Sequence, residues 1–316
     1  PGTAPQVTSG RLAVLDVGSN SLRLFCCEGV GPGGPAGKRW STVIGLRRDA
    51  AADGTLCADA LARLEAALTP FAERARAFGA ERTIAVCTSA VRDAPNRSAV
   101  VDLLRDRAGA EVHILPGDTE ASLAFAGAAL AVVDDRPLTV IDVGGGSTEL
   151  VTGAGGVRRA AVSLQLGAVR QTDRHVRGDP PAAAEVAAVR ADARAAVARA
   201  LAGLGEIGSP VAVAGTATTL AAIDLGGYDP GRVHRHRLTR GRVEEILGLL
   251  SSLTLERRRG LPGLDPARAG VITAGAAILA TVLEVAGADE VMISERDILD
   301  GVALAAAGRL GDTFQL

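Results

Sequence analysis

Aromatic side chains are scarce in this chain of 316 residues: Phe, Trp and Tyr together make up 2% of the sequence. Proteins that hold single-stranded nucleic acid stack its bases on aromatic rings, so that class has little support here. An excess of one charge is also lacking, because 34 basic and 36 acidic residues nearly cancel to a net charge of -2. No global field would draw the protein onto nucleic acid or an anionic membrane, and we expect neither as a partner. Any anion must be bound locally.

Cysteines are few, and long apolar runs are lacking. The four cysteines stand at positions 26, 27, 57 and 87 without C-x-x-C spacing, which predicts buried reduced thiols rather than a zinc site or a disulfide framework. The uncharged runs at 121–133 and 269–283 fall short of the roughly 20 residues that span a membrane, so they predict core helices. Residues 1–10 do not resemble a signal peptide and predict a frayed tail. We therefore expect a cytoplasmic protein.

Two segments of the sequence occur twice, in the same order. Residues 14–25 (VLDVGSNSLRLF) match residues 140–151 (VIDVGGGSTELV) at six of twelve positions, and TIAVCTSA at 83–90 has a counterpart in VAVAGTATTL at 211–220. The distance between the segments is 73 residues in the first copy (16 to 89) and 74 in the second (142 to 216). Each copy opens with apolar runs around a Gly/Ser turn, which predicts a β-hairpin. The sequence therefore predicts two similarly built halves.

The rest of each half alternates strands with helices. Apolar residues recur at helical spacing in 57–77, and 182–204 is rich in Ala and Arg with few breakers, so both segments predict helices packed on sheets. Strand–helix alternation places the chain in the α/β class. We place the domain break near residues 128–137, just before the second hairpin. The cleft between two such halves is the default site for a ligand.

The Gly/Ser turns predict phosphate binding. Glycines let the main chain come close to a ligand, while successive N–H groups and Ser hydroxyls point at an anion. An ordinary tight turn would explain Gly144–Gly146 alone, but the second copy, with Asp16 and Asp142 at matching strand ends, favours a ligand site. Carboxylates beside a phosphate repel it unless a cation lies between them. Asp142 and Glu149 therefore predict Mg²⁺, a hard cation that takes oxygen ligands.

Glu120 is the candidate residue for orienting an attacking water molecule. The segment PGDTE at 116–120 predicts a turn running into a helix, with Asp118 or Thr119 as N-cap and Glu120 in or beside the first turn. The positive end of the helix dipole would keep Glu120 ionised, so that it orients an attacking water rather than deprotonating it strongly. An acidic residue that is simply favoured at a helix start explains the local sequence equally well.

Arginines supply candidate anion contacts. The segment TSAVR at 88–92 follows a strand and starts a helix, a place for anions, where Arg92 would grip a phosphate with two donors. Arg23 and Arg170 are further candidates, and an ordinary solvated surface arginine is the alternative for all three. The run ERRR at 256–259 predicts a solvated helix end instead. No Ser-His-Asp arrangement or G-x-S-x-G elbow points to covalent serine catalysis.

These motifs resemble the exopolyphosphatase and guanosine pentaphosphate phosphohydrolase family, within the actin-like ATPase and sugar-kinase superfamily. The resemblance runs from about residue 11 to the last helix. It rests on six motifs in family order: DVGSNSLR (16–23), TSAVRDAPN (88–96), GDTEA (117–121), DVGGGSTE (142–149), SLQLGAVR (163–170) and AGTATTL (214–220).

The resemblance implies a pair of ribonuclease H-like domains, residues 11–130 and 131–298, with a last helix at about 299–316 that packs back on the first domain. It implies that Glu120 activates water, that Arg92 grips phosphate, and that Asp142 and Glu149 hold Mg²⁺, with Mn²⁺ as the alternative metal. The resemblance also implies two phosphate-binding loops that face each other across an interdomain cleft. The implied phosphate ligands, which lie on these loops or next to them, are Asp16, Gly18, Ser19, Asn20, Ser21, Arg23, Ser89, Gly144, Gly145, Gly146, Ser147, Gly215 and Thr216. It also implies a homodimer.

Two positions depart from the family pattern. Gly270 stands where the family commonly has an acid, in RAGVI instead of RADVI, and Leu299 replaces an arginine in DILDG instead of GLREG. The chain also resembles the short, two-domain members of the family. These departures concern substrate preference and leave the expected hydrolytic residues in place.

The favoured function is a Mg²⁺-dependent exopolyphosphatase that releases terminal orthophosphate from inorganic polyphosphate. Removal of the 5′ γ-phosphate of guanosine pentaphosphate is the closest rival, and ATP hydrolysis stays open because AGTATTL lies where superfamily relatives approach adenosine. A non-catalytic sensor of polyphosphate or an alarmone is an alternative of another class. A sugar or acetate kinase is a further one, and it would have no need of Glu120.

Overall fold

A computed structural model of the protein describes residues 10–310 except 32, 49, 52, 133–135 and 206. The chain splits into two compact units: unit 1 comprises Pro1–Leu130 and Ile298–Leu316, and unit 2 comprises Ala131–Asp297. The predicted tail, up to residue 9, and the end of the predicted last helix, residues 311–316, lie outside the described residues.

Unit 1 is a five-stranded sheet flanked by helices. Its strands are β1 (Arg11–Val17), β2 (Ser21–Gly31), β3 (Gly34–Val43), β4 (Arg82–Cys87) and β5 (Glu111–Ile114). Its helices are α1 (Ala58–Phe78), α2 (Ser89–Arg92), α3 (Arg97–Ala108), α4 (Gly117–Ala129) and, from the end of the chain, α12 (Ile298–Ala306). The first long helix ends where Gly79 adopts φ +76°, the left-handed conformation that favours glycine after a helix.

Unit 2 has a six-stranded sheet. Its strands are β6 (Leu138–Val143), β7 (Thr148–Ala154), β8 (Val157–Leu164), β9 (Ser209–Val213), β10 (Arg237–Thr239) and β11 (Glu290–Ile293). Its helices are α5 (Ala168–His175), α6 (Ala183–Leu204), α7 (Ala214–Asp224), α8 (Pro230–Val233), α9 (Arg240–Ser252), α10 (Leu255–Arg259) and α11 (Ile272–Val285). The helices predicted at 57–77 and 182–204 are therefore confirmed as α1 and α6.

The two sheets repeat one strand order. In unit 1 the order is β3-β2-β1-β4-β5, and in unit 2 it is β8-β7-β6-β9-β11, with β10 added at the edge. The first three strands of each series pair antiparallel, and the hairpin strand β1 or β6 then pairs parallel with β4 or β9. The α/β class and the two similarly built halves that the repeat predicts are confirmed.

Each unit buries its own apolar core. The predicted core helices are α4 and α11, and α11 is buried over twelve consecutive residues, Ile272 to Leu283. In unit 1 a cluster with Val14 and Phe25 on the sheet and Leu123 on α4 is completed by Leu299 and Val302 of α12. Among the described residues, none of the helices is long and apolar enough to cross a membrane.

Helix α12 also carries a buried charge. Asp300 is fully buried, and its Oδ1 accepts a hydrogen bond of 2.6 Å from Nη2 of Arg39 on β3. The Arg39 guanidinium lies 4.0 Å from the centre of the Phe25 ring. A buried carboxylate needs such a partner, since an unpaired charge in an apolar core is costly. The pair therefore fixes α12 on the strands of unit 1.

The prediction of buried thiols is confirmed for three of the four cysteines and is wrong for Cys57. Burial raises the pKa of Cys26 to about 11. Burial, together with the nearby Asp300 carboxylate, raises the pKa of Cys27 to about 12, and burial with Asp16 does the same for Cys87. Cys57 is the partly exposed one, and all four are free.

Helix α12 requires glycine at position 301. A Cβ there would lie 1.9 Å from the Leu123 carbonyl oxygen on α4, whereas a Cβ on Gly248 of α9 would meet nothing within 4 Å. We expect Gly301→Ala to lower the free energy of unfolding by about 1–3 kcal/mol, because α12 must move away from α4. Gly248→Ala should raise it by about 0.5–1 kcal/mol. Urea unfolding of both variants is the measurement, and changes of the same sign would contradict this packing.

Thiol reactivity should separate Cys57 from the other cysteines. At pH 8 a thiol with a pKa of about 11 is ionised to roughly one part in a thousand, and the thiolate is the reactive form. We expect one thiol to react rapidly with Ellman's reagent in the folded protein and four in urea. Cys57→Ser should remove the rapid reaction. Rapid reaction of a second thiol in the folded protein would show that the cores are open.

Candidate active site

The two Gly/Ser turns share one geometry. We call residues 18–21 loop 1 and residues 144–147 loop 2. In loop 1 the Gly18 N–H donates to the Ser21 carbonyl over 3.0 Å, and in loop 2 the Gly144 N–H donates to the Ser147 carbonyl over 3.0 Å. Each bond closes its hairpin at the same point of the repeat. The structure therefore places the predicted phosphate ligands of the two hairpins on equivalent turns.

The carbonyl groups of loop 1 are held by the segment that follows β3. The Asn20 oxygen accepts from the N–H groups of Ile44 and Gly45 at 2.8 and 2.9 Å, and the Ser19 oxygen accepts from Arg47 N–H at 3.3 Å. In a planar trans peptide the C=O and the next N–H point in opposite directions. Anchoring these carbonyls therefore turns the N–H groups of the following residues to the other side.

The carbonyl groups of loop 2 are held in the same way, by the segment that follows β8. The Gly144 oxygen accepts from Ala168 N–H at 2.9 Å, and the Gly145 oxygen accepts from the N–H groups of Val169 and Arg170 at 2.9 and 3.1 Å. The Arg170 side chain adds a bond of 2.8 Å from Nε to the Gly146 oxygen. Arg170, a weaker anion candidate from the sequence, thus braces loop 2.

Ser19 and Ser89 meet although 70 residues separate them. Their Oγ atoms lie 3.1 Å apart, and both side chains are buried. Ser89 opens α2, as the strand-to-helix pattern predicts, and Thr88 N–H donates to the Val17 carbonyl at the end of β1. The start of α2 is thereby fixed beside loop 1.

The strand residues next to the two loops carry different charges. Asp16 lies opposite Arg23 in the β1–β2 ladder, and Asp142 lies opposite Glu149 in the β6–β7 ladder. Arg23 donates to Asp16 Oδ2 from Nε at 2.8 Å, and its Nη2 lies 2.7 Å from the same oxygen. The predicted phosphate contact Arg23 is therefore bound to the carboxylate of Asp16.

Asp142 and Glu149 form a set of oxygen donors that suits Mg²⁺. Glu149 is buried, and its Oε1 accepts a hydrogen bond of 2.7 Å from Ser163 Oγ, which orients the carboxylate. Over the described part of the chain, His, Cys, Asp and Glu form no group of three or more that could hold a metal ion. Two carboxylates fit an ion that takes its remaining ligands from water and phosphate, as Mg²⁺ does.

Glu120 is held by Arg92. Arg92 Nη1 donates to Glu120 Oε2 at 2.7 Å and to the Leu115 carbonyl at 2.9 Å, and Glu120 is 8% exposed. Because α4 begins at Gly117, Glu120 lies in its first turn and its N–H donates to the Pro116 carbonyl. The two residues predicted to act on water and on phosphate are therefore in direct contact.

The predicted N-cap of α4 is wrong. Asp118 and Thr119 lie inside the helix, and the N-cap is Pro116, which has no side chain that could accept a hydrogen bond. The fixed φ of proline, −57° here, already suits a helix start, so the chain becomes helical earlier than the polar residues suggest.

Gly215 and Thr216 stand at the start of α7. Thr216 Oγ1 donates to the Val143 carbonyl at 2.8 Å, directly before loop 2. A Cβ on Gly215 would lie 1.9 Å from Nη1 of Arg268, so glycine lets that side chain cover the helix start. Sequence reasoning missed Arg268, which only its place in RAGVI, next to the departure at Gly270, could have indicated. A Cβ on Gly270 would meet nothing within 4 Å.

The solvated helix end predicted at 256–259 is partly wrong. Arg258 is only 3% exposed. Its Nη1 donates to Thr273 Oγ1 at 2.7 Å, and its Nη2 donates to Asp179 Oδ1 at 3.3 Å. Burial lowers the pKa of this guanidinium. The sequence offered no signal for this, because the partners lie 15 and 79 residues away in the chain.

Most of the chain is similar to proteins of one family. A family model described as "Ppx/GppA phosphatase family" matches residues 40–309. Exopolyphosphatase 2 of Mycobacterium tuberculosis is 36% identical, over 94% of this chain and 99% of the relative. A solved exopolyphosphatase-like protein is 31% identical, with a TM-score of 0.87 over 95% of this chain and 98% of its own. The Ppx/GppA family member of Aquifex aeolicus is 27% identical, with a TM-score of 0.79 over 96% of this chain and 99% of its own. The predicted fold class is confirmed by these structures.

Proposed function

Because this chain belongs to the Ppx/GppA phosphatase family, we propose that it is an exopolyphosphatase, which hydrolyses the terminal phosphoanhydride of inorganic polyphosphate and releases orthophosphate. Similarity to Exopolyphosphatase 2 over 94% of the chain supports this reaction. The observation that carries the proposal is the ion pair of Glu120 and Arg92 beside the end of the sheet in a unit that also holds loop 1. A hydrolase needs such a carboxylate for water, whereas a kinase does not.

Glu120 acts on the attacking water in this proposal. Its carboxylate is kept in place by Arg92 Nη1 and by its position in the first turn of α4, where the helix dipole favours the ionised form. An ionised carboxylate accepts a hydrogen bond from water and directs the water oxygen in line with the bond that breaks. Arg92 has five N–H donors, so it can hold Glu120 and contact a phosphoryl oxygen as well.

In this proposal each loop stabilises negative charge on the phosphate oxygens that it binds. The loop carbonyls are anchored by the segments after β3 and β8, which turns neighbouring N–H groups away from those segments. Such preorganised donors need no rearrangement as negative charge develops in the transition state. Held by Asp142 and Glu149, Mg²⁺ would supply further positive charge to those oxygens. Mn²⁺ would bind the same oxygen donors.

Guanosine pentaphosphate and ATP end in the same phosphoanhydride, so they are the alternative substrates to compare with polyphosphate. We further propose that the protein works in the cytoplasm, which the buried free thiols of Cys26, Cys27 and Cys87 support. The homodimer that the family resemblance implies stays a prediction, and sedimentation velocity would test it.

Replacing the carboxylate of Glu120 should stop turnover but not binding. We expect Glu120→Gln to lower kcat for orthophosphate release by about 10²- to 10⁴-fold, since general acid–base groups contribute about that much. Polyphosphate, guanosine pentaphosphate and ATP would be assayed in parallel with Mg²⁺, and binding would be measured by calorimetry. Glu73→Gln, at an exposed position of α1, is the control.

Normal turnover by Glu120→Gln would show that the Glu120 carboxylate does not have the role proposed for it. If the wild-type protein bound polyphosphate but released no orthophosphate from any of the three substrates, the sensor function would replace the enzyme. Transfer of phosphate from ATP to an added sugar or acetate would instead support a kinase.

Metal removal should abolish the reaction reversibly. We expect no orthophosphate release in EDTA and full recovery on adding Mg²⁺. Glu149→Gln should raise the Mg²⁺ concentration for half-maximal rate by about tenfold or more, because a carboxylate ligand is lost. Glu256→Gln, at an exposed position of α10, should leave it unchanged. Equal Mg²⁺ requirements of Glu149→Gln and wild type would rule out this carboxylate as a metal ligand.

A further inference from the structure

The Arg63 side chain of α1 bonds to the segment that anchors loop 1. Its Nε donates to the Ile44 carbonyl at 2.8 Å, and its Nη2 donates to the Gly45 carbonyl at 3.0 Å. Arg63 is partly buried, while Ile44 and Gly45 are buried. One guanidinium thus holds two successive carbonyls of the segment after β3.

These contacts continue directly into loop 1. The peptide that joins Ile44 to Gly45 accepts from Arg63 at its carbonyl end and donates to the Asn20 oxygen at its N–H end, over 2.9 Å. Successive hydrogen bonds through one peptide polarise and strengthen each other, and a charged donor at the start increases the effect. The guanidinium charge is therefore coupled to the orientation of the peptide between Asn20 and Ser21.

We propose that Arg63 is a positioning residue, which fixes the phosphate-binding conformation of loop 1 through Ile44 and Gly45. The proposal rests on the proposed function, since loop 1 is assigned there to bind phosphate. In unit 2 an arginine outside the hairpin plays the corresponding part, because Arg170 Nε donates to the Gly146 carbonyl of loop 2. Each copy of the repeat thus braces its loop with one guanidinium, directly in unit 2 and through one peptide in unit 1.

The planar fork of arginine is essential to this role. Nε and Nη2 lie on one edge of the guanidinium and reach two adjacent carbonyls together, whereas the single ammonium of lysine cannot reproduce both bonds in that geometry. Arg63→Lys therefore keeps the charge and most of the side chain but removes the fork. Arg76, an exposed arginine near the end of the same helix, provides matched control variants.

Kinetics and amide exchange would test the proposal on the full chain. Arg63→Lys, Arg63→Ala, Arg76→Lys and Arg76→Ala are compared with wild type for orthophosphate release from polyphosphate with Mg²⁺, and for hydrogen–deuterium exchange by mass spectrometry. We expect both Arg63 variants to lower kcat/KM by about tenfold or more, since a hydrogen bond from a charged group is lost. Amide exchange should accelerate in peptides that cover residues 18–21 and 44–48, and the Arg76 variants should match wild type.

Wild-type kinetics and exchange in Arg63→Lys would overturn the proposal. Acceleration spread evenly over all strands of unit 1 would also overturn it, because it would mean that Arg63 only stabilises the unit. If the wild-type protein hydrolyses none of the phosphate substrates, the proposed function fails. In that case hydrogen–deuterium exchange alone tests whether Arg63 positions loop 1. Faster exchange confined to the peptides that cover residues 18–21 and 44–48 would support the positioning role.

Discussion

A peptide plane has two ends, and anchoring one end orients the other. Both Gly/Ser loops of this protein depend on that constraint. The carbonyls of Asn20 and Gly145 are bound by N–H groups from segments that follow the third strand of each sheet. Glycine and serine permit the close turn, but the direction of the loop N–H groups is set by partners far away in the sequence. The rest of each unit serves to bring those partners to the hairpin.

The repeated frame carries opposite charges at one position. Arg23 and Glu149 are equivalent in the two hairpin ladders, each facing an aspartate across the strands. In unit 1 the aspartate, Asp16, forms an ion pair with the guanidinium of Arg23. In unit 2 two carboxylates face each other, and like charges opposite each other in a ladder repel. The hairpin of unit 1 thus carries an acid–base pair at the ladder position where the hairpin of unit 2 carries two acids.

Much of the secondary structure could be predicted from the sequence because it depends on neighbouring residues. Contacts between residues far apart in the sequence could not be predicted. The hairpins, α1, α6 and the turn residues follow from periodicity and glycine placement, which act over a few neighbours. The repeat also predicted two similarly built halves, and the shared strand order of the two sheets agrees with it. The burial of Arg258, the role of Arg63 and the contact between Glu120 and Arg92 depend on which elements pack together. No spacing in the sequence specifies these contacts, and the N-cap of α4 failed because proline competed with the polar residues after it.

Unit 1 is discontinuous, and this has a consequence for how the chain folds during synthesis. The cluster around Phe25 and Leu123 is completed by Leu299 and Val302, which the ribosome makes only after the whole of unit 2. Unit 2 has all its residues in one stretch and can close its core first. Until α12 emerges, the nascent first half exposes an apolar sheet face, and Asp300 is not there to accept the hydrogen bond from Arg39. Chaperone contact with this face during translation would follow from the order of the elements alone.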